Sequence, residues 1–287
     1  MPRRKKQKQK IRFEKRRIVI AILLTLIVGL VALFLKVISA GEDVFAVAVA
    51  KDNGDVEVLM ADFTKPEVYS VRVPAGTEVN LAMQRGVLRA SSIWRLIKSE
   101  NLPGQLLADT IMRTFYIPVD YWADEEAVSS LFSGTSDMPF PLRVRLLTAV
   151  KSSNVTFLDL SETTYFTKLK LADGESGFRV NGTLPLTVAS IAADGRISGV
   201  QTAVLIKNRT GRPSYMLSPA VSVFEVLGGK VAPLLTGDEE GIGCTVKAEK
   251  PQIRKRVATV FNCKEMPGTP DSFDIEVVFG KLFLDRF

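Results

Sequence analysis

The chain of 287 residues contains no histidine. That excludes Ser-His-Asp and Cys-His catalysis, and it leaves a transition-metal site with few of its usual ligands. Cysteine is almost missing as well, with Cys244 and Cys263 the only two. In an oxidising compartment such a pair most simply forms a disulfide, closing a loop of about 20 residues, worth on the order of 3 kcal/mol in the chain-entropy model. Two buried free thiols are the other reading. No Gly-rich phosphate loop is present. The two tryptophans, Trp94 and Trp122, read as core aromatics. The acidic runs Asp124-Glu125-Glu126 and Asp238-Glu239-Glu240 lack the interleaved spacing of a calcium loop, so they read as cap or loop acids.

Charge is scarce on most of the chain. Of 38 basic and 31 acidic residues, ten bases and one acid lie before residue 18, so the net +7 becomes −2 for everything after it. A nearly neutral remainder argues against nucleic acid as a partner, which calls for basic charge on a folded face. Long apolar runs are equally rare, and the prominent one is Ile18 to Leu35, eighteen residues without a charge. As a helix it would be roughly 27 Å long, close to the hydrocarbon thickness of a bilayer. The bases before it predict a cytoplasmic N-terminus with the rest outside, the tail meeting anionic lipid. A cleaved signal peptide, ending near Ile38-Ser39-Ala40, is the alternative.

After a polar exit, Val44 to Ala50, Val56 to Ala61 and Val68 to Val73 read as strands, with Asn53-Gly54 as a hairpin signal. Helical spacing predicts helices over Leu81 to Lys98 and Gln105 to Phe115. Ile117 to Ala123 reads as a short strand, and Asp124 as the cap of a helix over Glu125 to Phe132. A basic helix over Leu142 to Lys151, a strand over Val155 to Leu160 and a hairpin around Asp173-Gly174 follow. Beyond a Gly-, Ser- and Thr-rich stretch, the order strand, helix, strand, strand, helix, strand over 200–287 is that of a split βαβ unit. The expected fold class is thus α/β: a tail (1–17), a transmembrane helix (18–37), an α/β domain (41–180), a linker (181–199) and a small β-α-β-β-α-β domain (200–287). Asn154, Asn181 and Asn208 each open a glycosylation triplet and read as turn or structural residues.

Ala203 to Pro213, AVLIKNRTGRP, resembles the V-x-V-x-N-x-T-G-x-P opening of the C-terminal domain found in LytR-CpsA-Psr proteins. The Leu-Gly-Gly after its helix and the closing Asp274 to Gly280 are similar to that domain too. Upstream, Val71 to Thr77 and Tyr116 to Trp122 resemble the S-I-P-R-D-T and G-I-P-I-D-Y-Y segments of the family's catalytic domain. The resemblance implies an outward-facing envelope protein that meets a wall glycopolymer, a polyprenyl-phosphate lipid or another envelope protein. The family transfers glycopolymers from polyprenyl-pyrophosphate carriers to the wall, using arginines, acids and magnesium. Here Ala75-Gly76 stand where its loop has Arg-Asp, and its R-S-D-T and R-x-x-R-Q segments have no counterpart. The resemblance therefore implies a binding protein without catalysis, no cofactor, and Arg72, Arg143 and Arg145 as candidate anion contacts. The alternative is a divergent phosphotransferase with magnesium.

Overall fold

Strand β1 (Val44–Ala50) has no polar side chain, and from Phe45 onward it is buried on both faces. Alternation along the strand decides what each face meets. Ala46, Ala48 and Ala50 enter one core, while Phe45, Val47 and Val49 enter another. Small residues on the first face leave room for large ones opposite: Leu106, Leu107, Ile111 and Phe115, all from the helix Gln105–Phe115, fill that core.

The computed structural model describes Thr25, Gly29 and residues 44–63, 67–82, 86–152, 155–171, 174–181, 202–226, 229–233, 235–236, 243–281 and 283. After β1 come β2 (Val56–Asp62), β3 (Glu67–Val73), β4 (Glu78–Asn80), β5 (Val87–Arg89), α1 (Ala90–Ser99) and α2 (Gln105–Phe115). Next are β6 (Tyr121–Asp124), α3 (Glu125–Ser129), α4 (Phe140–Ser152), β7 (Val155–Asp159), β8 (Phe166–Lys170) and β9 (Ser176–Val180). Then follow β10 (Ala203–Arg209), α5 (Ser218–Val226), β11 (Lys230–Val231), β12 (Leu235–Thr236), β13 (Thr245–Ala248), α6 (Pro251–Phe261), β14 (Lys264–Glu265) and β15 (Ile275–Gly280).

The first sheet runs β6-β1-β2-β3-β7, antiparallel at its centre and parallel at both flanks. Its hairpin turn is fixed by Asn53, whose side-chain oxygen accepts the Asp55 N–H at 2.9 Å, and by Gly54 at φ +86°. A side chain at Gly54 would also meet Ser91 at 2.8 Å. Asp124 caps α3 as expected, accepting from the Ala127 N–H at 2.9 Å. The second sheet runs β11-β10-β15-β13-β14, with β12 also paired to β10. Its opening turn is built on Asn208, only 1% exposed, whose side chain bonds Arg212 and Thr210. The triplet asparagine there is structural.

Residues 43–287 form one compact unit, because α6 packs on α2 and both sheets share a continuous core. Phe261 stacks on Phe224 at 4.5 Å and lies 6.5 Å from Tyr116. Arg256 of α6 pairs with Asp120, a buried carboxylate that also accepts the Ala46 N–H at 2.8 Å.

Several expectations change. Val87 is in β5, paired with Asn80 of β4 in a hairpin, and the helix begins only at Ala90. Gly86, at φ +91°, supplies the turn that the apolar spacing concealed. The first helix expected over 200–287 is preceded by a 3-10 turn over Ser214–Leu217, and β14 is an additional strand. The membrane helix is a correction. Apart from Thr25 and Gly29, which are helical, residues 18–37 lie outside the described ones. Among the described residues, no helix is long and apolar enough to cross a membrane. The longest, α4, has 13 residues, which makes about 20 Å against the ~30 Å a bilayer core requires. The fold class stands as mixed α/β, and the transmembrane helix is withdrawn from it.

Candidate functional site

Arg72 points from β3 into a ring of acids. Its Nε and Nη2 bond Asp55 Oδ2 at 2.8 and 2.7 Å, and Nη1 lies 3.6 Å from Asp159. Asp55 is 7% exposed, and its other oxygen accepts the Ala75 N–H at 2.8 Å. The Pro74-Ala75-Gly76-Thr77 loop is thus held by a carboxylate from the facing turn. Burial pushes Asp159 up, but hydrogen bonds from Ser161 and the charge of Arg72 outweigh it, and the group ends below the usual carboxylate range. Beside it, Lys51 bridges Glu125 at 2.8 Å and Glu57 at 3.3 Å. The Asp52 N–H and Lys51 hold Glu125 below its ordinary value. Every oxygen pair nearest the loop is turned toward protein donors. The arrangement does not fit a magnesium site, and among the described residues no group of three or more His, Cys, Asp or Glu side chains could hold a metal.

The other two candidate arginines have different partners. Arg143 Nη2 donates to the carbonyls of Ala127, Ser130 and Ser133 at 3.2, 3.0 and 2.9 Å, tying down the chain after α3. Arg145 lies over the Phe63 ring at 4.1 Å, a cation–π contact. Sequence reasoning put these two with Arg72 as anion contacts; the structure gives each its own partners.

A pocket of ≈ 1090 Å³ opens where the β4–β5 hairpin, the end of α2, β9 and the end of α6 converge. Its floor is apolar: Val79, Leu81, Phe261 and Phe283 are all at least nine-tenths buried. Its rim carries Asn80 and Asn262, and on one side Arg179 bonds Glu78 through Nε and Nη2, both at 2.8 Å. Arg113 of α2 lines the wall, half-buried; burial lowers its pKa, opposed by Tyr116. Next to it the Thr114 hydroxyl is buried with no hydrogen-bond partner. Tyr116 and Asn262, the caps of α2 and α6, take φ +57° and +54°. Non-glycine residues in that region concentrate at functional sites. Cys244, in the pocket wall, is disulfide-bonded to Cys263 with Cα atoms 4.6 Å apart.

Sequence reasoning missed this pocket. Its residues come from Glu78 to Phe283 and share no motif. Asn262 alone carried a signal, as an asparagine placed to end a helix in the left-handed region.

No protein-family model matches the chain, nor does any curated protein. Among solved structures, TagT of Bacillus subtilis is similar at 12% identity and TM-score 0.36, over 50% of this chain and 86% of its own. The Lin1025 protein of Listeria innocua is similar at 10% identity and TM-score 0.36, over 49% and 92%. YwtF (TagT), described as a LytR-CPS2A-psr family protein with bound octaprenyl pyrophosphate lipid, is similar at 11% identity and TM-score 0.33, over 53% and 88%. Likeness at this level carries no argument about what this chain binds or does. The resemblance of residues 203–213 to a C-terminal domain is not shown by these matches.

Proposed function

We propose that this protein is a non-catalytic binding protein of the cell envelope, holding a wall polymer or a partner protein outside the cytoplasm. One observation carries the reading: Arg72, the cation nearest the altered loop, is neutralised by Asp55 and flanked by Asp159. A pyrophosphate in a water-poor site needs fixed, uncompensated cations, since a buried unpaired anion costs several kcal/mol. Here the surplus charge around the loop is negative. The disulfide supports an oxidising location. A binding role of this kind needs no cofactor; magnesium enters only with transfer chemistry. The test is release of phosphate or glycan from a lipid-linked pyrophosphate donor with magnesium present. No release is expected. Turnover that Arg72→Ala abolishes would overturn the proposal and install a divergent phosphotransferase.

A further inference from the structure

The edge of a sheet carries unpaired N–H and C=O groups, and folded proteins guard such edges against other chains. In the two large sheets most edges are guarded. β6 is bridged by the chain after α3: Ala123 faces Ser136, and the Asp137 side chain accepts the Trp122 N–H at 2.8 Å. The Ser136 hydroxyl donates to the Trp122 carbonyl at 2.9 Å. In the second sheet β11, β12 and β14 are two residues each, and β14 is Lys264-Glu265, charged at both positions. β7 is the exception. It extends over five residues, Val-Thr-Phe-Leu-Asp, with neither Lys nor Pro. Among the described residues β3 is its one strand neighbour. Val155 packs on one core and Leu158 on the other, which fixes the strand in its sheet. At its centre Phe157 is 75% exposed, and Thr156 beside it is exposed too.

An antiparallel pair of identical strands about a two-fold axis sets the central residue opposite itself. Here that residue is the exposed aromatic. Thr156 then faces Leu158, and Val155 faces Asp159. Like charges stay apart: the two Asp159 positions lie about 13 Å from each other at ~3.3 Å per residue, where salt screens them. A loose peptide would have to be ordered on binding, whereas a second copy brings a strand already held by its own sheet. We propose that β7 pairs with the β7 of a second copy, antiparallel about a two-fold axis through Phe157, joining two sheets into one. Five residues a side are few beside the ~1,600 Å² of a standard interface, so the dimer is weak and concentration-dependent. The proposed function does not depend on it, and a monomer would leave that reading standing.

Sedimentation velocity of the full-length protein, up to about 200 µM, tests the pairing, with a dissociation constant on the order of 10–100 µM expected. Phe157→Asp and Phe157→Lys each remove the aromatic pair and set like charges directly opposite, so each should weaken association by about tenfold or more. Mixed in equal amounts, the two variants should associate again, because Asp then faces Lys. The position is exposed, so both should melt as the parent does. Phe132→Asp, at a 91% exposed position on another loop, should associate like the parent. The proposal is overturned if the parent stays monomeric, which would leave the edge to a strand of some other protein. It is equally overturned if mixing restores nothing. Association that survives both charged variants belongs to another surface, such as the apolar run 18–35, and sinks it as well.

Discussion

Two regions of the molecule pair arginine with carboxylate, and they differ in how the backbone around the pair is held. Around Arg72 every acid near the loop has a protein donor, and the turn, the loop and the strand hold one another. Around Arg113 the chain takes two helix caps in the left-handed region, while each region keeps one buried hydroxyl with no partner, Thr77 in the first and Thr114 in the second. The first pattern is that of a clamp. The second places its strain in the backbone, at the ends of two helices. Charge alone does not separate them, since each holds arginine beside an acid. The left-handed caps at Tyr116 and Asn262 do.

Four changes test that contrast. The largest effect should come from reducing the Cys244–Cys263 bond in the pocket wall. Loss of about 3 kcal/mol of stability is expected for a loop of this length, read as a shift of the urea midpoint with and without reductant. Unchanged unfolding would mean the bridge contributes nothing to that wall. Next, Asp55→Ala should dismantle the clamp by removing the acceptor for Arg72 and Ala75 together. A cost of about 2 kcal/mol follows, because a partly buried donor loses its acceptor, and amide exchange at Ala75 should accelerate. Thr114→Val should act in the opposite direction, raising stability by up to about 1 kcal/mol as an orphaned hydroxyl is replaced by an isosteric methyl. A destabilised Thr114→Val protein would mean that the hydroxyl is satisfied.

The smallest effect is in pH. Asp159 and Glu125 are held below their ordinary values, so their contribution is present above the unfolded pKa and is lost as pH falls through the folded one. Asp109 of α2 goes the other way: burial raises it, against a hydrogen bond from Gln105 and the charge of Lys255. Its ionisation costs stability as pH rises through the unfolded carboxylate value, about 4, toward the folded one. Asp109→Asn should therefore gain at pH 7 and lose that gain in acid, while Asp159→Asn should flatten the acid limb. Denaturant midpoints across pH 3 to 7, taken as an approximate window around the carboxylate values, would measure both. Parallel pH curves for the two variants would show that the two carboxylates do not differ in this way.

Much of the framework was readable in advance. β1 follows from a run with no polar residue, the hairpin from Asn53-Gly54, and the α3 cap from Asp124. These are local decisions, made by side chains within a few residues of one another. What escaped was non-local or ambiguous. Leu81 and Val87 fit a helical stripe as well as a hairpin, and only Gly86 decides between them. Arg143 on a basic helix looks available for an anion, yet three carbonyls from α3 and the loop after it occupy it. Residues such as Thr114 and Phe283 have no common signature, because what unites them is a space.

The parallel pairing of the second sheet has a consequence for the order in which the molecule comes into being. Central strand β10 finds its neighbour β15 across a separation that begins at Val204 and Ile275. Contacts of such high order form slowly, since a long loop must close before any of them is rewarded. During synthesis β10 leaves the ribosome with its partner still unmade, an apolar strand with both edges open. The first sheet has its own parallel flank in place once β7 has emerged, far earlier. Nascent chains halted before residue 275 should therefore show a protease-resistant first sheet and a digestible remainder. The pocket, which takes one wall from each half, is the last part of the molecule to exist.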